Sequence, residues 1–330
     1  MLAMLLVALA PAARAQLRPP EGSEIQLFIE NDTLARTDRY YTNGIKFGGG
    51  APFDILQLPA TEILKQLAPH AEGAIHLGLF LGQNMYTPKD ITIKAPQPLD
   101  RPWAAWLYLG GVAQRAKGNR LDTVEIDLGL VGPSALGKEV QTEWHRLIGV
   151  RQPVGWHNQI PNEPAFLVSY VAKTRQPLGR ANGVDLEMVP HGGVTLGTVL
   201  TLARAGGILR LGQNMTGFGP DTIEPGGAML QNMRRDIEPG RSHDLEWYVF
   251  AGVDHRLVAH NIFLDGTVFR DSPSVRRRPH VYDMTLGVSL RIDPMRISVT
   301  RVRRSEEFFT AVGGGGGRQT FDSVNLGIEF

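Results

Sequence analysis

The sequence predicts an all-β fold, a transmembrane antiparallel β-barrel of twelve or fourteen strands with a short helix in an extracellular loop. Three observations predict it. Apolar and polar residues alternate with a period of two throughout the chain, in segments of about ten residues, the length that a tilted strand needs to cross a bilayer. The polar positions often hold carboxylates, and the last strand ends on an aromatic residue.

The segment 123–130 illustrates the alternation along one predicted strand. Its apolar members are Val124, Ile126, Leu128 and Leu130, and the residues between them include Glu125 and Asp127. Carboxylates at every second position do not fit the dry core of a soluble sandwich unless they have partners. They fit the polar lumen of a membrane barrel whose other face contacts lipid. The pattern therefore disfavours the alternative of a soluble ligand-binding sandwich.

The alternation places the strands along the chain. We predict strands at 24–31, 41–51, 74–83, 104–115, 120–131, 163–173, 183–212 (one or two hairpins), 244–254, 257–266, 280–291, 294–304 and 320–330. A single-chain bacterial barrel has an even number of strands and both ends in the periplasm, which leaves twelve or fourteen.

The connections divide into short and long ones. Periplasmic turns are predicted at 117–119 and 293–294, and external loops at 84–102, 132–161, 214–243, 267–279 and 305–319. The cluster of Trp103, Trp106 and Tyr108 is predicted to form an aromatic girdle at the membrane interface.

Composition excludes several classes of function. The chain of 330 residues contains no cysteine, which rules out disulfide scaffolds, thiol nucleophiles and cysteine metal sites. The formal net charge of +1 gives no reason to expect a nucleic-acid partner.

Both ends of the sequence resemble export signals. Residues 1–15, MLAMLLVALAPAARA, have an apolar core and an A-x-A-like cleavage site, which predicts a signal peptide followed by a barrel over 16–330. A buried N-terminal helix is the alternative. The last strand, FDSVNLGIEF, resembles the terminal strand of bacterial outer-membrane barrels, and this resemblance implies that the outer-membrane assembly machinery recognises Phe330.

One external loop is predicted to contain a helix. After Gly132 and Pro133, Ser134 is a suitable N-cap for a helix through ALGKEVQTEWHRLIG that ends at Gly149. At about 100° per residue, the helix places Gln141, His145 and Ile148 on one side and Glu139 and Glu143 on the other. The histidine is then either a functional group or an idle residue on a surface helix.

The first predicted hairpin loop, ENDTLARTDRYYTNG at 30–44, is unusually rich in oxygen donors. Asn31, Asp32, Thr33, Asp38 and Thr42 are the donor types that a hard cation such as calcium prefers, although their spacing is not that of an EF-hand. The alternative is a solvated hairpin held by Asx turns.

Four stretches together carry a more specific resemblance. They are this hairpin, GQNMYTPKDI at 82–91 with LDRPWAAWLYLG at 99–110, GPSALGKEVQTEWHRLIG at 132–149, and GWHNQIPNEP at 155–164. With them the sequence resembles the outer-membrane lipid A 3′-O-deacylase family. The resemblance implies a twelve-stranded barrel in the bacterial outer membrane with an active site facing the outer leaflet. It also implies calcium-dependent hydrolysis of the ester that holds the 3′-linked acyloxyacyl chain of lipid A, so lipopolysaccharide is the expected partner.

The resemblance also implies site residues. The family's catalytic residues fall on Asn31, Asp32, Thr42, Gln141 and His145. Lys89 falls in the block of the family's lysine and is expected to bind substrate. Glu163 is expected to join Asp32 as a metal ligand, whereas a family pattern with a glutamate shortly after the histidine meets Arg151 here.

These residue types suit a metal-assisted attack of water on an ester. His145 is expected to act as general base, Gln141 to orient the site, and Asp32 to bind calcium. Asn31 and Thr42 are expected to supply further oxygens or a donor to the oxyanion. A serine nucleophile is the competing mechanism, but the sequence has no G-x-S-x-G motif.

Arginines in predicted external loops offer a second kind of substrate contact. Arg276, Arg277 and Arg278, and also Arg234 and Arg235, could bind the phosphates of lipid A in forked pairs of hydrogen bonds. The alternative is a solvated charge run or a contact with the lipopolysaccharide core. The competing function for the whole chain is a non-enzymatic binding or porin-like barrel.

Overall fold

A computed structural model describes residues 22–32, 39–52, 74–219, 221–223, 230, 245–310 and 317–330. The predicted signal peptide, Thr33, Asp38, Arg234 and Arg235 lie outside these residues. In the part of the chain that the structure describes, none of the helices is long and apolar enough to span a membrane.

The described residues form thirteen strands, each antiparallel to its neighbours. They are β1 (Glu24–Asn31), β2 (Tyr40–Pro52), β3 (Ala74–Thr87), β4 (Ala104–Lys117), β5 (Arg120–Val131), β6 (Glu163–Thr174), β7 (Gln176–Ala181), β8 (Val184–Gly197), β9 (Leu200–Gln213), β10 (Leu245–Asn261), β11 (His280–Ile292), β12 (Met295–Arg304) and β13 (Gln319–Glu329). Twelve of them close into a barrel, because β1 pairs with β13 and β6 pairs with β8. The short β7 pairs with β8 alone. The prediction of a barrel is confirmed with twelve strands, and 183–212 holds one hairpin.

One stretch predicted as two strands is a single strand. The predictions at 244–254 and 257–266 correspond to β10, which runs on into a short helix, α2 (Ile262–Asp265). The charged residues His255 and Arg256 do not form a turn between two strands. Arg256 faces the lumen, where it pairs with Asp283, and His255 faces outward.

Gly22, the first described residue, and the C-terminal Phe330 lie at one rim of the barrel, which we call the inner rim. Here the backbone N–H of Gly22 donates to the carbonyl oxygen of Phe330, at 2.7 Å. The turns at 118–119 and 293–294 lie at this rim, as predicted. The opposite, outer rim carries α2, the connections 88–103, 132–162 and 266–279, and the described residues 305–310 and 317–318.

The prediction of 214–243 as an external loop is wrong for its described residues, which are 214–219, 221–223 and 230. Residues 214–219 follow β9, which descends to the inner rim. Ile223 and Leu230 are buried among lumen-facing aromatic side chains. These described residues therefore do not belong to an outer loop, whereas Arg234 and Arg235 lie outside the described residues.

The lumen is polar and its charges are paired. Along β5, Glu125 and Asp127 are almost fully buried, whereas Ile126 is 47% exposed on the lipid-facing side. The carboxylate of Glu125 pairs with Lys46 across the lumen, at 2.6 Å. The alternation therefore arises because each strand has one side toward the polar lumen and one side toward lipid, as predicted.

The aromatic girdle predicted from Trp103, Trp106 and Tyr108 is wrong, since all three side chains are buried. Trp106 and Tyr108 stack in the lumen with ring centroids 3.9 Å apart. The lipid-facing positions of this strand belong to the alternate residues, such as Leu109. Alternation shows that β4 has two faces. Trp106 and Tyr108 were predicted at the membrane interface because of their residue types, whereas they line the lumen.

Candidate active site

The predicted helix of the external loop is present as α1 (Gly137–Ile148), and it ends at Gly149 in the left-handed conformation. The prediction of Ser134 as its N-cap is wrong. A 3-10 turn over Pro133–Ala135 precedes the helix, Leu136 occupies the cap position, and the backbone N–H of Ser134 donates to the side chain of Asn162.

Helix α1 packs against the outer wall of the barrel, near the outer rim. Met85 and Ala105 occupy outward-facing strand positions, yet they are buried because Trp156 and the helix cover them. Gly137 is the closest point, since a Cβ atom there would lie 2.5 Å from the Cβ of Ala105. The glycine thereby lets the start of the helix approach the wall of the barrel.

The helix presents its glutamine and histidine to the barrel. Gln141 and His145 are buried, whereas Glu139 and Glu143 on the other side are exposed, as predicted. Ile148, at the end of the helix, keeps 40% of its surface exposed.

A cavity of about 180 Å³ lies between α1 and the first strands. Four of the five predicted catalytic residues line it, namely Asn31, Thr42, Gln141 and His145. The remaining lining residues are largely apolar: Ile29, Ile45, Met85, Val140 and Trp144, with Asn43. Ile29 and Ile45 face lipid opposite each other on β1 and β2, so the cavity lies on the outside of the barrel and not in its lumen.

A β-bulge brings Thr42 to this cavity. The register of β2 against β3 shifts between Tyr41 and Asn43, which leaves Thr42 as the extra residue. Tyr41 faces the lumen, where its hydroxyl donates to Glu30 at 2.7 Å. Counted back from Ile45, which faces lipid, strict alternation would direct Asn43 outward and Thr42 into the lumen, whereas the bulge lets both residues line the outer cavity.

Hydrogen bonds fix the orientation of the two helix residues. The Nδ1 atom of His145 lies 2.5 Å from the carbonyl oxygen of Arg151, and the indole N–H of Trp156 donates to Oε1 of Gln141 at 2.7 Å. A carbonyl oxygen only accepts, so Nδ1 carries the proton and Nε2 holds the lone pair of the neutral ring. An indole N–H only donates, so the amide nitrogen is the other end of the Gln141 side chain.

The residues of the first hairpin form a second bonded group. Asn31 donates through Nδ2 to the carbonyl oxygen of Thr42, at 3.2 Å, and the hydroxyl of Thr42 lies 2.8 Å from that of Thr87. Asp32 is buried next in sequence and accepts from the backbone N–H of Arg39, at 2.8 Å. Asp32 is not one of the residues that line the cavity.

Two predicted site residues lie elsewhere on the outer rim. Lys89 is exposed in the connection 88–103, where its backbone N–H donates to Asp100. Glu163 is buried at the start of β6, and its carboxylate accepts from the backbone N–H groups of Val268 and Phe269, at 2.8 and 2.9 Å. Glu163 therefore holds the connection 266–279, and it does not line the cavity.

The predicted phosphate-binding arginines differ in their surroundings. Arg277 is half-buried and pairs with Asp265, at 3.3 Å between Nε and Oδ2. Arg276 is exposed and lies over the ring of Phe309, with its guanidinium carbon 4.8 Å from the ring centroid. Arg278 covers the same ring at 4.1 Å and pairs with Glu306.

Among the described residues, no group of three or more His, Asp and Glu side chains could hold a metal ion. Of the described residues of the first hairpin, Asn31, Asp32 and Thr42 carry amide, carboxylate and hydroxyl oxygens, which are types of ligand that calcium accepts.

A family model described as outer membrane protein LpxR matches residues 1–330. The chain belongs to the LpxR family. This is the lipid A 3′-O-deacylase family that the four sequence stretches resemble, and it places the barrel in the bacterial outer membrane. No curated protein matches the sequence.

A solved LpxR structure has the same fold. LpxR from Salmonella typhimurium aligns with a TM-score of 0.72 at 22% identity, over 93% of this chain and 100% of that one. The β domain of the Bordetella autotransporter BrkA aligns with a TM-score of 0.43 at 10% identity, over 93% of this chain and 98% of that one.

Sequence reasoning missed several residues of the site in this LpxR-family chain. Trp156 orients Gln141 from fifteen positions further along the chain, which no helical or strand period connects. Trp144 and Val140 directly precede His145 and Gln141 in the sequence. Their apolar side chains were the available signal that an apolar wall lies beside these polar residues.

Proposed function

We propose that the protein is an outer-membrane esterase that removes the 3′-linked acyloxyacyl chain of lipid A. The observation that carries this proposal is the cavity outside the barrel, which His145, Gln141, Asn31 and Thr42 share with apolar side chains. A lipid ester has both a polar carbonyl group and a hydrocarbon chain, and the two kinds of lining residue suit these two parts. Membership of the LpxR family supports lipid A as the substrate.

The place of the cavity supports a substrate that arrives from the membrane. Ile29 and Ile45 belong both to the lipid-facing surface and to the cavity lining. A lipid of the outer leaflet can therefore reach the cavity from the side, without passing through the lumen.

His145 acts as general base in the proposed reaction. With Nδ1 protonated and held by the carbonyl oxygen of Arg151, Nε2 accepts a proton from the attacking water. The water oxygen bonds to the ester carbonyl carbon, and the bond from this carbon to the sugar oxygen then breaks. Nε2 returns the proton to the sugar oxygen, which gives a free 3′-hydroxyl and an acyloxyacyl fatty acid.

The neutral polar groups of the cavity position the ester. Gln141 is held by Trp156, and its amide nitrogen is a donor for the carbonyl oxygen of the substrate. Thr42 offers its hydroxyl on the opposite wall of the cavity. Donors that are fixed before the reaction stabilise the developing oxyanion without reorganisation.

Asp32, Asn31 and Thr42 are the residues that would hold calcium. They offer a carboxylate, an amide oxygen and a hydroxyl, which fit a hard cation, whereas zinc prefers histidine and cysteine ligands. When bound there, calcium supplies Lewis-acid stabilisation of the negative charge on the ester oxygen.

A porin-like channel is the competing function. Two cavities lined by lumen-facing residues measure about 60 and 40 Å³, and charged side chains such as Lys173 and Asp221 pair across the lumen. A channel for solutes needs a continuous water-filled lumen. The charge pairs in the lumen and the cavity on the outer wall favour an enzyme.

Mass spectrometry of lipid A from cells that express the protein tests the proposal. We expect the wild type and Arg146→Ala to remove the 3′ acyloxyacyl mass, because Arg146 is exposed and pairs with Glu143. His145→Ala is expected to leave lipid A intact while the barrel keeps its heat-modifiable migration in electrophoresis. Unchanged lipid A from folded wild type in the presence of calcium would exclude the proposed activity.

A further inference from the structure

Part of the exposed surface of α1 is apolar. Trp144, Leu147 and Ile148 are spaced i, i+3 and i+4, so they share one side of the helix. Their exposed fractions are 49%, 77% and 40%. Val150, just after the helix, is exposed as well. Such a patch is unfavourable in water and indicates an interaction surface.

The rest of the exposed surface of α1 is charged. Lys138, Glu139, Glu143 and Arg146 are all exposed, and they lie away from the apolar residues. The helix thus has three sides: Gln141 and His145 toward the barrel, an apolar side, and a charged side. A helix that lies in a membrane interface has this division between an apolar and a charged side.

The apolar side continues the lipid-facing surface of the barrel. Trp144 lines the outer cavity together with Ile29 and Ile45, which are lipid-facing residues of β1 and β2. The apolar side of the helix therefore adjoins lipid-facing residues of the strands at the cavity.

We infer that α1 lies in the outer leaflet, with Trp144, Leu147 and Ile148 inserted among the acyl chains and its charged side toward the headgroups. Tryptophan suits this depth, because its ring is amphipathic. The helix then forms the wall between the bilayer and the cavity, and a hydrocarbon chain enters the cavity beside Trp144. This inference rests on the membrane location of the barrel and not on the proposed hydrolysis.

Single-cysteine labelling tests the inference, since the chain contains no cysteine of its own. Nitroxide labels are placed by Leu147→Cys, by Glu139→Cys on the charged side, and by Leu286→Cys on the lipid-facing side of β11, where Leu286 is 65% exposed. Each variant is reconstituted in dioleoylphosphatidylcholine vesicles. Electron paramagnetic resonance then measures collisions of the label with oxygen and with a water-soluble nickel chelate.

We expect the label at 147 to behave like the label at 286, with several-fold more oxygen collisions than nickel collisions. The label at 139 is expected to show the reverse ratio. Equal ratios at 147 and 139 would overturn the inference. Spin–spin broadening at 147 that disappears on dilution with unlabelled protein would overturn it too, because a second copy would then cover the patch. All three positions are exposed, so the fold is preserved and heat-modifiable migration verifies it.

Discussion

The Nδ1 atom of His145 lies 2.5 Å from the backbone carbonyl oxygen of Arg151, which holds the imidazole in place. The chain reverses between them at Gly149, whose φ of 69° lies in the left-handed region. The backbone N–H of Val150 also donates to the carbonyl oxygen of His145, at 3.0 Å. The end of the helix therefore sets the tautomer and direction of the ring without using the side chain at position 151.

This relationship predicts that Arg151→Ala leaves the deacylation rate nearly unchanged. Exposed substitutions usually alter free energies by less than about 0.5 kcal/mol, so we expect a rate within about twofold of the wild type. Gly149→Val should instead lower the rate by about 100-fold, because a β-branched residue avoids the left-handed conformation and displaces the ring.

Gly118→Val is the matched control for that comparison. Gly118 also has a positive φ, 56°, but it lies in a turn at the inner rim. Gly118→Val should lower the free energy of unfolding and leave the deacylation rate per folded molecule unchanged. If Arg151→Ala were as inactive as His145→Ala, the side chain itself would take part in the reaction.

The contact of Gly137 with the barrel gives a second prediction. An added Cβ would lie 2.5 Å from the Cβ of Ala105 and 2.7 Å from the ring of Trp156. Overpacking of this kind costs about 1–3 kcal/mol, and a shift of the helix by about 1 Å lowers a rate by about 100-fold. Gly137→Ala should therefore reduce deacylation strongly in a barrel that still folds.

Gly179→Ala serves as the control for Gly137→Ala, because nothing lies within 4 Å of a Cβ built at Gly179. Both variants are compared by lipid A mass spectrometry and by thermal unfolding. Wild-type rates in Gly137→Ala would mean that the helix position does not limit the reaction.

Local patterns predicted the barrel, and the resemblance to the lipid A 3′-O-deacylase family predicted the residues that meet in the outer cavity. Alternation indicated the strands, but the oxygen-rich hairpin and the amphipathic helix by themselves also fitted a solvated loop and an idle surface helix. The resemblance singled out Asn31, Thr42, Gln141 and His145, and all four line the cavity. The bulge at Thr42 was not predictable, since a register shift depends on how β2 pairs with β3.

Long-range packing decided the features that sequence patterns predicted wrongly. Trp106 and Tyr108 stack in the lumen because other lumen-facing residues surround them, and alternation alone does not say which face is inside. Ile223 lies in the barrel, where its backbone N–H donates to the carboxylate of Glu30, 193 residues away in sequence. A contact between residues so far apart in sequence cannot be predicted from the local period of a strand or a helix.

A calcium titration separates the two predicted metal ligands. Asp32→Asn should raise the calcium concentration for half-maximal activity by about tenfold or more, since it removes the carboxylate of the proposed site. Glu163→Gln should leave that concentration unchanged. It should lower the free energy of unfolding by about 1–3 kcal/mol, because the amides of Val268 and Phe269 lose a carboxylate acceptor.

The titration starts from protein treated with a chelator, and unfolding is followed by electrophoretic migration after heating. An equal shift of the calcium midpoint in both variants would assign Glu163 to the metal. An unchanged midpoint in Asp32→Asn would remove Asp32 from it.

The neighbouring arginines of the outer rim should have separate effects on substrate binding and on stability. Arg277 already pairs with Asp265 and donates to the carbonyl oxygen of Ala259, so Arg277→Ala should destabilise the rim without altering substrate preference. Arg276 is exposed and rests on Phe309, so its guanidinium is accessible to a ligand at the rim. A charge-assisted hydrogen bond to phosphate is worth about 1.5–3 kcal/mol, so Arg276→Ala should lower kcat/KM for phosphorylated lipid A by about tenfold or more.

The decisive comparison for Arg276 uses lipid A with and without its phosphates. The decrease of kcat/KM in Arg276→Ala should disappear with dephosphorylated lipid A, because this substrate has no phosphate for Arg276 to bind. Arg276→Lys should recover part of the rate, since it restores the charge but not the forked geometry. An equal loss on both substrates would mean that Arg276 acts through its contact with Phe309 and not through phosphate.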